Sequence, residues 1–575
     1  MQKNSYLDYK EIIAETVETA LAEPGLAKEA IYALLEYPPD DKLGDLALPC
    51  FQLSKLLKKA PNLIAQELAG KIDPAPYFAA VKATGPYLNF YVEPVPLVKA
   101  VLDSILTYGS NYGSRSIGGG QNIVIDFSAP NIAKPFHVGH LCSTVIGNSL
   151  YKIFEFLGYN CVGINHLGDW GTQFGKLITA YKKWGSAEAV EEGLIKELMR
   201  LYVKFHTEAE QDPALEDEAR EWFRKIENGD EEALTLWRWF KEISLEEFQR
   251  VYDMLEITFD SMAGESFYND KIGAVVKELQ EKQLLVESDG AAIVNLDDYG
   301  MPPCLILKKD GSTLYATRDI AAALYRKKTC QFVKALYVTG AAQSLHFKQW
   351  FKVMELMGCD WAKDLVHIPF GLVSLKGEKL STRTGRVVLL EDLLKTAIEK
   401  TLAIINEKNP NLVQKEEVAQ VVGVGAVVFG ALSVNRIKDV TFSWEEALSF
   451  EGETGPYLQY THARACSILR KAGVSPETMA TFTPEKLHEP AELRVVKTMY
   501  LFPEKVLSAA HEYEPSIISR YLIELAQNFN GFYHECQVLV DDHDLQQARL
   551  VLVWAVKTIL ATGLGLLGIK APEQM

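Results

Sequence analysis

Ser128-Ala-Pro-Asn-Ile-Ala-Lys134-Pro-Phe-His137-Val-Gly139-His140-Leu-Cys142-Ser-Thr-Val-Ile-Gly147 is the stretch that decides how this chain reads. The apolar run Ile123-Val-Ile125 precedes it. Ile146, Leu150, Ile153, Phe154 and Leu157 follow at steps of 4, 3, 1 and 3, one face of a helix. The order is therefore strand, loop, helix, with two histidines three apart where the helix begins. A helix start offers unpaired amide N–H groups and a partial positive charge, which suit a phosphate. Gly139, between the histidines, leaves room for a flat ligand against the backbone. The stretch predicts a nucleotide site, with ATP as the candidate ligand.

Working outward, a second loop supplies charge. Lys376-Gly377-Glu-Lys379-Leu-Ser381-Thr-Arg383-Thr-Gly385-Arg386 places four cations among small residues after the strand-like run His367–Ser374. Alone, either loop reads more simply as a satisfied cap or a solvated turn. One loop ending an early strand and one ending a late strand form an ATP cleft at the edge of a parallel sheet. Further strand-like pieces at Cys161–Asn165, Cys304–Leu307 and Lys334–Val338 alternate with helical stretches. A charged segment from about 185 to 260, helical by the 3, 4, 3 spacing of Ile195, Leu198, Tyr202 and Phe205, interrupts them. The fold class expected is α/β, a Rossmann-type doubly wound parallel sheet split by a helical insertion. The domains expected are an α+β module over 1–112, a catalytic domain over 121–405 with its insertion at about 185–300, and an all-α bundle over 410–575. The glycine- and serine-rich stretch Tyr108–Gly120 reads as the first linker, and Ile518, Leu522, Leu525, Phe529 and Phe532 carry the helical period of the bundle.

Composition narrows the class. At 575 residues the chain exceeds a single core, and a formal charge of −17 excludes a general coat for nucleic acid while leaving room for a local basic groove. The eight cysteines are all at least 19 residues apart, so neither a zinc knuckle nor a C-x-x-C pair is available and reduced thiols are expected. No structural metal is expected. The first residues lack an apolar signal core, and the most membrane-like stretch, Val421–Val434, is too short for a span and reads as a buried helix. A cytoplasmic protein with no membrane partner follows.

Together the two loops resemble the signature motifs of class I aminoacyl-tRNA synthetases, at His137–His140 and Lys379–Arg383. The chain is similar to the arginyl branch of that class over nearly its whole length. The resemblance is carried by Ser128–Gly147, Asn165-His-Leu-Gly-Asp169-Trp-Gly-Thr-Gln-Phe-Gly175, Tyr315-Ala-Thr-Arg-Asp319-Ile, Gly340-Ala-Ala-Gln343-Ser-Leu-His346-Phe, Gly455-Pro-Tyr457-Leu-Gln-Tyr460-Thr-His-Ala-Arg464 and the terminal Leu567–Met575. It implies ATP-dependent activation of L-arginine and transfer to tRNA(Arg), with activation dependent on bound tRNA, Mg2+ arriving with ATP, and a monomer. Both nucleophiles come from substrates, so the protein has to align groups and neutralise charge.

By the same resemblance His137, Gly139, His140, His367, Gly371, Lys379 and Ser381 contact ATP. Lys134 substitutes for a second loop lysine, whose place Thr382 takes here. Asp126, Asn131, Tyr315, Asp319 and Gln343 fall to arginine. Chemistry agrees with the last group: a guanidinium is planar, permanently charged and rich in donors, so it calls for carboxylates and neutral acceptors. Tyr315 and Asp319 at i, i+4 share a helix face. Tyr87 and Asn89, in the amino-terminal module, and Tyr460 and Arg464, in the carboxy-terminal helices, are the tRNA-contact candidates. Cys142 stands where the family often has arginine. A binding-only paralogue and a small-acid nucleotidylyltransferase remain as alternative readings. No editing domain is expected, because a guanidinium pocket rejects uncharged competitors unaided.

Overall fold

Near the amino terminus, strands β1 (Leu46–Pro49), β2 (Phe78–Thr84) and β3 (Tyr87–Val92) form an antiparallel sheet in the order β1-β3-β2. Gly85, at φ +57°, turns the hairpin between Thr84 and Tyr87. The computed structural model describes residues 7–21, 26–309, 314–375, 388–474 and 481–575. It divides into two compact units that do not follow chain order. One comprises residues 1–112, 464–503 and 524–560; the other comprises 113–463, 504–523 and 561–575. Within the first, Tyr9 N–H donates to the Tyr500 hydroxyl at 3.0 Å and the Tyr112 hydroxyl donates to the Met499 carbonyl at 3.2 Å. Part of the carboxy-terminal helical block therefore packs with the amino-terminal module.

The second unit holds the parallel sheet, built from β4 (Asn122–Asp126), β5 (Asn160–Ile164), β9 (Lys334–Gly340) and β10 (Leu365–Phe370) in the order β10-β9-β4-β5. Ile123, Val124 and Ile125 are buried on both faces, as a central parallel strand requires. Because the chain moves to one side of β4 for β5 and to the other for β9, the carboxyl end of β4 is the switch point where such sheets bind ligands. The helix after it, Leu141–Phe156, packs so closely that a Cβ on Gly147 would overlap the Phe127 ring.

Two expectations change. Cys304–Leu307 (β8) is not part of the parallel sheet. It closes an antiparallel sheet with β6 (Leu285–Ser288) and β7 (Ala291–Val294). A four-residue apolar run looks the same in either setting. The run 367–374 is two strands, because Gly371 interrupts it. Its N–H donates to the Arg436 carbonyl at 2.8 Å, and the Lys438 carbonyl fills the space of a Cβ. Beyond it, β11 (Val373–Leu375) pairs with β12 (Val440–Phe442).

The insertion is helical as expected, over Ala187–Ala209, Ala214–Glu227 and Glu231–Leu255. Val421–Val434 falls mostly inside helix Lys415–Leu432, largely buried. Among the described residues the helix that meets the length and hydropathy of a membrane span is instead His543–Leu566, and 67% of its most apolar window is buried within the protein.

Candidate active site

The loop leaving β4 is held in a costly shape. Ser128, Ala129 and Ala133 have φ of 71°, 46° and 60°, the left-handed region that charges a non-glycine residue about 1–2 kcal/mol each. Hydrogen bonds over-determine it. Ser128 N–H donates to Ser143 Oγ at 2.9 Å, Ala129 N–H to Asn165 Oδ1 at 3.1 Å, and Ala133 N–H to Ser244 Oγ at 3.0 Å. The Tyr252 hydroxyl joins two of these arms, 2.8 Å from Ser128 Oγ and accepting from Asn165 Nδ2 at 2.9 Å. Asn131 lies on Gly168, whose missing side chain is what admits it.

His137 caps the short turn Val138–His140. Its Nδ1 accepts from Gly139 N–H at 3.0 Å, while His140 Nδ1 accepts from His137 N–H at 3.2 Å. With Nδ1 of His137 engaged as an acceptor, its remaining N–H sits on Nε2. The two rings lie 4.1 Å apart. Burial pushes His140 down to about 3, and burial with the nearby Lys134 charge lowers His137. Both shifts favour the neutral imidazole, which offers one N–H rather than a charge. Lys134 is half-buried, and burial lowers its own pKa. The reason for Gly139 differs from the sequence reading: its Cβ space holds the His137 ring, with Cε1 2.6 Å from where a Cβ would stand.

The second loop, with Lys379, Ser381 and Thr382, lies outside the described residues. The chain leaving it is bonded to the first. Val138 N–H donates to the Val388 carbonyl at 3.1 Å and Leu390 N–H to the Phe136 carbonyl at 2.9 Å. On the late side of the sheet, His367 in β10 stacks on Phe347 at 4.4 Å and meets Thr339 Oγ1 at 2.9 Å. Burial pushes it down to about 4.

Acidic side chains gather beside these elements. Tyr315 opens helix Tyr315–Cys330, with Asp319 one turn on, and Tyr315 is 63% exposed. Gln343 caps helix Ser344–Leu356 at the carboxyl end of β9 and is exposed. Asp319 Oδ2 meets His346 Nε2 at 2.6 Å. Among the described residues Glu265 Oε2 is buried without a hydrogen bond, its ion pair with Arg318 being long at 3.7 Å. Burial, with Asp319 and Asp169 adding and Arg318 opposing, lifts its carboxyl to about 7. Glu265 N–H donates to the Leu167 carbonyl at 2.9 Å, next to the Gly168 that carries Asn131, so the turn 166–169 joins this acidic group to the β4 loop. Asp169 pins that turn, accepting from Ser266 N–H at 2.8 Å and from Lys241.

Asp126 is committed elsewhere. Its Oδ2 accepts from Arg326 at 2.7 Å in a buried pair, and the other arm of Arg326 lies 3.2 Å from His166 Nδ1. Sequence reasoning missed Glu265 and His346 as site residues. Glu265 sits in no periodic pattern. His346 stood in a recognised segment, where a lone histidine carries no signal of its partner.

The tRNA candidates scatter as surface and core. Tyr87 meets the exposed Phe51 edge-on at 5.8 Å, whereas Asn89 is 2% exposed, paired inside the β1-β3-β2 sheet. Tyr460 and Arg464 share helix Gly455–Ala472. Tyr460 is exposed, and Arg464 donates to Asn530 Oδ1 at 2.5 Å and lies over the Tyr533 ring. Cys142 is buried in the helix behind His140, and burial raises its thiol to about 12.

A parallel sheet with a histidine pair at its switch point, tied by main chain to a late cationic loop, defines a class I aminoacyl-tRNA synthetase. The family described as tRNA synthetases class I (R), catalytic domain, matches residues 101–444. The Arginyl tRNA synthetase N terminal domain matches 8–92, and the DALR anticodon binding domain matches 458–575. An arginine–tRNA ligase of Alkaliphilus metalliredigens is 55% identical over 99% of this chain and 100% of its own. One of Halothermothrix orenii is 53% identical over the same shares. The solved Thermus thermophilus arginyl-tRNA synthetase superposes with a TM-score of 0.83 at 27% identity, covering 99% of this chain and 100% of that one. The chain belongs to the arginyl-tRNA synthetases.

Proposed function

We propose that this chain activates L-arginine with ATP and transfers it to the 3′-terminal ribose of tRNA(Arg), and that the residues assembled above do so. In the first step an arginine carboxylate oxygen bonds to the α-phosphorus, the bond to the β-phosphate bridge breaks, and pyrophosphate leaves. In the second the ribose hydroxyl attacks the arginyl carbonyl carbon, AMP departs, and the hydroxyl proton leaves with the phosphate. His137 and His140 donate Nε2–H bonds to ATP, Gly139 keeps the first ring in place, and Lys134 and Lys379 face the phosphates from opposite walls. Ser381, His367 and Gly371 complete the nucleotide contacts, with Mg2+ bound through the phosphates themselves. Asn131 faces the amino-acid backbone. Tyr315, Asp319, Gln343 and Glu265 receive the guanidinium, while Asp126 serves through its pair with Arg326.

The observation that carries this reading is the unpartnered Glu265 oxygen beside Asp319, joined through Leu167 and Gly168 to the β4 loop. A buried carboxylate without a donor is expensive, and a planar cation with five N–H groups is what relieves it. The form proposed is a monomer. Eight free thiols fit the reducing cytoplasm. For tRNA, the amino-terminal module offers the Phe51 and Tyr87 rings to an unstacked base, with Asn89 holding the strand beneath. Tyr460 and Arg464 belong to the helices that meet the anticodon.

Charging with radiolabelled arginine tests the proposal. Wild type loads tRNA(Arg), and Asp319→Ala loses arginine selectively while still binding ATP. ATP–pyrophosphate exchange is weak until tRNA is added. Wild type that binds ATP yet charges no tRNA refutes the reading, and strong exchange without tRNA refutes its tRNA-dependent step.

A further inference from the structure

We infer that His346 is a positioning residue for arginine selection, fixing the orientation of the Asp319 carboxylate that meets the guanidinium. The inference rests on the assignment of Asp319 to that role. An aspartate on the first turns of a helix has two free torsions, and a planar fork is read well only by a carboxylate held in its plane. Here Asp319 Oδ2 is engaged by His346 Nε2 at 2.6 Å, which leaves Oδ1 and the remaining lone pairs for a ligand. Both side chains are about one-quarter to one-third exposed, at 24% and 30%, so the bond is reachable from solvent rather than sealed in the core.

The imidazole can act as a ruler because its own backbone is anchored. It sits on the first turn of helix Ser344–Leu356, three residues after the cap Gln343 and directly before Phe347, which is 5% exposed. Phe347 stacks in parallel on His367, at an interplanar angle of 4°, and His367 is in turn held by Thr339. Two neighbouring residues at this helix start therefore face two things: His346 the selecting carboxylate, and Phe347 the histidine of β10. Either protonation state of His346 with a proton on Nε2 supplies the required donor.

The test is a double-mutant cycle read by tRNA-supported ATP–pyrophosphate exchange. His346→Ala is expected to raise the KM for arginine about tenfold, the scale of one hydrogen bond to a charged group, with kcat and the KM for ATP unchanged. His346→Gln, whose amide nitrogen stands where Nε2 stood, restores most of the loss. On an Asp319→Ala background, His346→Ala adds nothing. If His346→Ala acts equally with and without Asp319, or moves the KM for ATP as much as that for arginine, the inference fails. Should His346→Ala not fold, His346→Gln against the shorter His346→Asn gives the same discrimination. Equal KM values in that pair overturn it. An Asp319→Ala enzyme with unaltered arginine KM would instead remove the assignment on which the inference rests.

Discussion

Leu390 N–H donates to the Phe136 carbonyl at 2.9 Å, binding the chain that leaves the cationic loop to the chain that enters the histidine pair. Val138 N–H repeats the tie one step on, to Val388. The chain at 388–390 is thus tied to the first signature loop by main-chain bonds that do not depend on any lysine. Removing the Lys134 charge should therefore alter chemistry without disturbing these bonds.

Lys134 gives the cleanest case. Its ammonium is half-buried, and burial works against its charge, so Lys134→Met relieves a desolvation cost while deleting a cation from the phosphates. The expected outcome is a melting temperature equal to wild type or higher, with kcat for tRNA-supported exchange down about a hundredfold. The KM for arginine stays unchanged. Lys379→Met should lower the exchange rate on the same scale. Thermal denaturation and exchange kinetics on the same preparations check both.

Gly139→Ala tests the packing reason for that glycine. The new methyl would stand 2.6 Å from His137 Cε1 and 2.8 Å from Nδ1, so the ring must swing away and release its bond from Gly139 N–H. A catalytic donor displaced by an ångström costs up to about a hundredfold. Exchange should fall by one to two orders of magnitude (about 10–100-fold) and the KM for ATP should rise, with far-ultraviolet circular dichroism unchanged. A fully active alanine enzyme would show that the His137 placement is incidental.

How far the sequence could be read follows from where each signal lies. The β4 strand, its loop and helix Leu141–Phe156 were legible because period, glycine and chain order sit within about thirty residues, the span of one βαβ step. The insertion was legible as helix. Its β6-β7-β8 sheet was not, since Cys304–Leu307 is too short to show which sheet it joins. Asp126 was read as a candidate for arginine, and its partner Arg326 stands 200 residues away. A buried ion pair at that separation leaves no local trace. Glu265 was invisible for the same reason, since its character comes from burial and from Asp319 and Asp169, which only the folded chain brings near.

Tyr252→Phe probes the support beneath the strained loop. Removing the hydroxyl takes the acceptor from Asn165 Nδ2 and one of two hydroxyl partners from Ser128 Oγ, which keeps Thr144 Oγ1; a buried group left without its partner costs about 1–3 kcal/mol. The melting temperature should drop by several degrees, about 2–4 °C per kcal/mol. The KM for ATP should rise as Ser128 and Ala129 relax from positive φ. Differential scanning calorimetry with and without ATP measures both effects. An unchanged melting temperature would mean the hydroxyl is not holding the loop.

Glu265 predicts a pH dependence with a definite sign. Burial first, with Asp319 and Asp169 adding, lifts its carboxyl from the ordinary carboxylate range to about 7. Below that pH the free protein carries a proton there, and a guanidinium is best met by the carboxylate. Arginine binding must therefore expel the proton, so the KM for arginine should fall as pH rises, by up to about tenfold per unit, and level off above the carboxyl's pKa. The substrate guanidinium stays charged throughout this range, so it adds no slope of its own. Glu265→Gln should raise the KM at high pH and flatten the profile, because an amide accepts a hydrogen bond but has no proton to lose. Calorimetric titration of arginine in two buffers of different ionisation enthalpy supplies an independent reading. Wild type near neutral pH should show net proton release, and Glu265→Gln should show less. Identical heats in both buffers for the wild-type protein would place the proton elsewhere and leave Asp319 as the carboxylate that selects arginine.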